Sequence, residues 1–201
     1  MIYDPIQLGA RFRDTLMDVL RESDRREPLR EAAANEDLKT WTALLTHAVV
    51  TTCRNLGWQA AAKGHKLEIL PQTGQEYLGL DTMAFDPAAG QPDAKWHWPV
   101  AVVELENAKD RVGYSLWKVL NVAAPLRVVV GYRRDWDTAN ALPGLLTSEV
   151  MQSMPMDRWS TLDGETMLVI GSRSDGESFP WGYFRFWRFD RGIGRFVRAG
   201  G

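Results

Sequence analysis

Apolar residues recur every three or four positions at Leu8, Phe12, Leu16 and Val19/Leu20, a spacing that predicts a helix with Asp4 as its cap and Pro5 as its first residue. The charged stretch RESDRREPLRE that follows contains Pro28 and predicts a solvated connector. A second stripe, Leu38, Trp41, Leu45, Val49, Thr52 and Leu56, predicts a helix over about 36–56, capped by Asn35 and closed by Gly57. The pattern then changes to strand-like runs at 66–70, 77–85 and 98–106, the last being the valine-rich WPVAVVELE. The segment DPAAGQPDAK between the last two is a loop by its Pro, Gly and Asp content. A helix over 110–123, with Val112, Leu116, Val119, Leu120 and Ala123 on one face, leads to the apolar strand 126–132. A helix joining two buried strands implies a crossover and a parallel pair. Beyond Trp136 the chain predicts a helix over 142–154, a strand over 167–171, the aromatic ribbon WGYFRFWRFD and a last strand over 194–198.

The expected fold is α/β: a mixed sheet with an αβββαβ core over 36–132, flanked by helices and extended by C-terminal aromatic-rich strands. Residues 1–35 supply the N-terminal helix and connector. Residues 137–201 supply the C-terminal helix and strands, which are too thin to hold a core of their own. One domain over 1–201 is expected.

Composition narrows the function. The 24 Lys+Arg against 26 Asp+Glu leave a net charge of -2, so no chain-wide basic field draws this protein to a polyanion. Cys53 is the single cysteine, which excludes an internal disulfide and a thiolate zinc cage and fits the cytosol. No run approaches the roughly 18 apolar residues of a membrane span. Three histidines leave little material for imidazole chemistry, and His47 and Cys53 lie six apart on their helix, facing apart.

The candidate chemistry is carboxylate. Glu104 and Glu106 alternate onto the same face of the most apolar strand, where like charges raise one another's pKa unless a cation sits between them. A hard divalent ion bound through oxygen answers that cost, with Asp81 on the preceding strand as a third ligand. Such a site suits phosphodiester cleavage. Pairing of Glu104 and Glu106 with Arg or Lys at a sheet edge is the alternative.

Asp81 in YLGLDTMAF and Glu104 with Glu106 in VAVVELEN, set on this order of strands and crossover helix, resemble the PD-(D/E)xK nuclease superfamily over residues 36–132. Leu80 stands where that motif has proline, and Glu106 where it has lysine. Some restriction endonucleases of that superfamily carry Glu there and still cut DNA. In other relatives a lysine from the following helix takes over, which makes Lys118 the candidate, about 140° from the apolar stripe in a row with Arg111 and Tyr114. The resemblance implies Mg²⁺ (or Mn²⁺) held by Asp81, Glu104 and the Leu105 carbonyl. Glu106 would then be a further ligand or would orient water, and the substrate would be nucleic acid, DNA before RNA. A catalytically impaired relative that binds nucleic acid or protein is the alternative, and a homodimer or scaffold joined through the aromatic ribbon is a third reading. Interleaved Arg and aromatic residues at Arg185, Trp187, Arg188, Arg191 and Arg195 are the candidate nucleic-acid contacts; packing of the ribbon as core or interface competes with that role.

Overall fold

The computed structural model describes residues 5–89 and 93–200, so the Asp4 cap and part of the expected 86–95 loop lie outside the described residues. Seven strands form one sheet in the order of the chain. These are β1 (Gln59–Ala62), β2 (Thr82–Phe85), β3 (Ala101–Glu106), β4 (Leu126–Arg133), β5 (Glu165–Ser172), β6 (Phe184–Asp190) and β7 (Arg195–Arg198). The central strands β3, β4 and β5 run parallel, and the pairs on either side are antiparallel. Helix α4 (Val112–Leu120) makes the first crossover, while α5 (Trp136–Leu146) and α6 (Met156–Thr161) lie in the second. The mixed α/β sheet expected from the hydropathy pattern is present.

Each face of the sheet has its own helices. On one, α1 (Pro5–Arg21), α2 (Ser23–Ala34) and α3 (Leu38–Asn55) cover Ala101, Val103, Leu105, Val128 and Val130. On the other, α4 and α5 cover Val102, Val129, Leu168 and Ile170. Leu105 faces α3, so period-two alternation turns Glu104 and Glu106 toward α4.

Several expectations are corrected. The connector is helix α2, with Pro28 inside it. Its Arg–Glu surface pairs contribute little; burial of Leu29 and Ala32 outweighs the backbone bond that proline removes. The first strand is QAAA at β1 rather than 66–70, where only Leu67 forms a bridge, to Gly74. Alanine is a poor strand former, but Ala60 and Ala62 let the sheet edge approach α3 closely. Asp37, not Asn35, caps α3, its carboxylate accepting from the Thr40 N–H at 3.1 Å, and Leu38 stays exposed. Strand β2 begins only at Thr82, because Tyr77–Gly79 is a 3₁₀ turn. The helix after β4 starts at Trp136 and passes into a π turn at Thr147–Met151. Ala123 lies beyond α4 and is exposed.

The centre of the α1–α3 side is Trp41, packed among Tyr132, Phe179, Tyr183 and Phe184 with ring centroids 5.5–6.2 Å away. Gly171 is the one residue of β5 over which Tyr183 can lie, since a Cβ there would stand 2.4 Å from the tyrosine ring. Trp41→Ala should destabilise the fold by about 3–5 kcal/mol in urea denaturation. Trp41→Phe should cost less, because its ring refills much of the space and the indole N–H it removes is buried without a partner.

Burial pushes the Cys53 thiol up to about 12. Because this folded value lies above the roughly 8.5 of an unfolded thiol, the unfolded chain releases its proton first and stability falls as pH rises between the two. Denaturation at pH 7.5 and 10 should show an alkaline loss, approaching about 1.4 kcal/mol per pH unit, that Cys53→Ala lacks.

Candidate functional site

Strand register builds the site. Thr82 pairs with Val103, so β3 outruns β2 at its C-terminal end and the residue before β2, Asp81, comes beside Glu104. The two exchange polar contacts: the Asp81 N–H donates to Glu104 Oε1 at 3.1 Å, and the Leu105 N–H donates to Asp81 Oδ2 at 2.7 Å. A strand residue's N–H and C=O point to the same edge, so the Leu105 carbonyl also faces Asp81. Asp81 therefore flanks the sheet edge just ahead of β2 rather than lying near a strand's middle.

Lys118 comes from α4. Its Nζ lies 2.7 Å from Glu104 Oε2 and donates to the Gly79 carbonyl at 2.8 Å. That carbonyl is aimed by the 77–79 turn, where Gly79 has φ of 67° and Leu78 is held at φ 56°, a left-handed value that costs a branched residue about 1–2 kcal/mol. Tyr77 fixes the turn by donating to the Leu67 and Gln72 carbonyls, both at 3.0 Å, and by packing edge-on against Phe85. Leu80, 1% exposed, anchors the chain on the α4 side just before Asp81.

Glu104 is buried at 3% exposure and Asp81 is half-buried. Desolvation raises both carboxyls above their ordinary values. The Leu105 N–H and Lys118 oppose the rise at Asp81, where Glu76 and Glu106 add to it. Lys118 opposes it at Glu104, where Asp81 adds to it. Glu106 turns aside: its Oε1 accepts from the Ala108 N–H at 2.7 Å and its Oε2 lies 3.4 Å from Ser115 Oγ.

Asp81, Glu104 and Lys118 are thus in one constellation, with Glu106 at its margin. Among the described residues no group of three or more carboxylate, imidazole or thiol side chains is arranged to hold a metal ion. The donors that remain are the two carboxylates of Asp81 and Glu104 with the Leu105 carbonyl. This all-oxygen set fits Mg²⁺ or Mn²⁺, which take one or two carboxylates and fill other positions with water and phosphate.

The C-terminal candidates lie elsewhere. Strands β4 and β5 separate β6 from β3, about 14 Å at ordinary strand spacing. The Arg185 guanidinium stacks 3.5 Å from the Trp136 ring and donates to Asn140. Trp187 is buried, Arg188 pairs with Asp190 at 3.5 Å, Arg191 donates to the Leu162 carbonyl, and Arg195 is exposed. Alternation of the ribbon starts only at Phe184, so Tyr183 packs on the α1–α3 side with Phe184 and Phe186. Residues not anticipated are Gly79, Glu76 and Ser115; Ser115 alone had a signal, one helical turn from Lys118.

Lys118→Met should lower stability by about 2–3 kcal/mol, because it leaves Glu104 buried without its cation. The double variant Lys118→Met/Glu104→Gln should regain much of that loss. Urea denaturation of the four proteins measures the coupling.

Set beside known protein families, curated proteins and solved structures, the chain matches none of them, which leaves the functional reading to its own side chains.

Proposed function

We propose that this chain is a metal-dependent phosphodiesterase of the nuclease type, acting on nucleic acid and on DNA before RNA. The observation that carries the reading is the meeting of Asp81, Glu104 and Lys118 where β3 extends past β2. Asp81 and Glu104 would hold Mg²⁺ or Mn²⁺ together with the Leu105 carbonyl. The ion's contribution would be to draw off charge from the scissile phosphate and lower the pKa of a bound water. Lys118 would keep an ammonium beside the reacting phosphate, stabilising the charge that develops on its oxygens. Its place on α4 supplies the cation that Glu106 cannot. Glu106, half-buried and close enough to raise the Asp81 pKa, would accept a hydrogen bond from the attacking water. The single buried thiol suits work in the reducing cytosol.

A second reading has its own support. Both oxygens of Glu104 already have partners, Lys118 and the Asp81 N–H, as in a site kept for structure. On that reading the chain is an impaired relative that binds nucleic acid or protein without cutting.

Plasmid nicking and single-strand degradation separate the two. The nuclease reading expects cleavage that needs Mg²⁺ or Mn²⁺ and falls by about 10²-fold or more in Glu104→Gln and in Lys118→Met, the scale on which positioned charges act. Salt-sensitive binding with no cleavage at any metal concentration would favour the impaired relative.

A further inference from the structure

Beside the acid–lysine constellation lies a cavity of about 670 Å³. Its rim carries Trp96 and Trp98, which are 64% and 79% exposed, and Leu78, 77% exposed on its strained turn. Isolated exposed apolar residues need no explanation, but two indoles and a leucine around one concavity do. The cavity adjoins the site through the chain segment that leads into Asp81. Glu76 lines it and acts on the Asp81 carboxyl, and Leu78 adjoins the Gly79 carbonyl that holds Lys118. On the far wall Asn121 lies one helical turn beyond Lys118.

We propose that this cavity receives an unpaired base of single-stranded nucleic acid whose backbone passes the Asp81–Glu104–Lys118 site. The proposal rests on the reading of that site as a phosphodiesterase. Charge selects the occupant: the walls hold Glu76 and no lysine or arginine, so they suit a neutral planar group rather than phosphate. Indole faces supply stacking, and Gln72, His97 and Glu76 supply edge donors and acceptors of the kind that read an exposed base. A base inside a duplex has no free face to offer, so single strands, or nucleotides turned out of a helix, are the substrate class. The lack of a basic field agrees, since stacking and not counterion release would then carry much of the affinity.

Binding tests this apart from catalysis. A 5′-fluorescein 15-nucleotide DNA strand and its duplex are titrated in EDTA, read by anisotropy and by quenching of tryptophan fluorescence. The wild type should prefer the single strand. Trp96→Ala/Trp98→Ala should reduce the ratio of single-strand to duplex affinity at least tenfold, and Trp96→Phe/Trp98→Phe should restore part of it. Thermal melting confirms that the variants fold. No single-strand binding by the wild type, or an unchanged ratio in the alanine variant, overturns the proposal. So does a dimer or a bound hydrophobic peptide that the alanine variant loses while its DNA affinity stays. Absence of metal-dependent cleavage with the stacking preference intact would remove the phosphodiesterase and leave the base cavity; cleavage with an unchanged ratio would do the reverse.

Discussion

A buried carboxylate must have a cation or a proton, and the end of β3 is organised around that demand. Glu104 sits on a central strand of the sheet, nearly inaccessible to water, with Asp81 adding a second negative charge beside it. One ammonium answers both. Lys118 reaches them because α4 packs over β3 and β4 through Val112, Leu116 and Val119, which leaves its row of α4 facing the edge where β2 starts late. Had β2 begun two residues sooner, Asp81 would be a ladder residue and the Leu105 N–H would have a backbone partner in place of a carboxylate. The site is therefore a product of register as much as of residue type.

A stability argument alone does not explain retaining that arrangement. Apolar residues of similar volume commonly replace a buried ion pair at no loss. Two desolvated acids, a lysine and a free strand edge in one place incur that cost for some other reason, and pKa values perturbed by burial and specific partners cluster at functional sites for this cause. The left-handed Leu78 next to the same lysine points the same way, since backbone strain of this kind persists where surrounding structure holds it for a purpose.

How much was legible in the chain follows from what each signal depends on. Stripes such as Leu8, Phe12 and Leu16 or Trp41, Leu45 and Val49 declare helices because one face must be buried, and valine runs declare β3 and β4 because both faces must be. Asp81, Glu104 and Lys118 could be singled out for the same reason, as charges where the pattern demands apolar residues or as the helix row facing them. What escaped depends on tertiary contact. QAAA becomes a strand because α3 lies close above it, and SDRREPLREAAA becomes a helix because Leu29 and Ala32 dock, against the local preference of Pro28. The late start of β2 hangs on a turn fixed by the Tyr77 hydroxyl, which no periodicity encodes. Of the two roles open to the ribbon, stacking surface or packed core, it is mostly core: Phe184 and Phe186 pack on one side, Trp187 and Phe189 on the other.

That packing bears on where nucleic acid would touch the protein. Aromatic residues in a strand have a sheet to bury them and helices waiting on both faces, so Trp187 satisfies the hydrophobic effect internally and has nothing left to offer a base. Trp96 and Trp98 lie in the approach to β3, outside the described strands, and are largely exposed. Their exposure is a standing cost in apolar hydration that the fold does not relieve by itself. Arg185, Arg188 and Arg191 are likewise engaged, by Trp136, Asn140, Asp190 and the Leu162 carbonyl, while Arg195 is exposed. On the proposed reading, contact surface lies in the loop before β3 rather than at the end of the chain. There a stacked base would bring its own phosphate toward Lys118, because Asn121 at the cavity wall follows that lysine by one turn of α4.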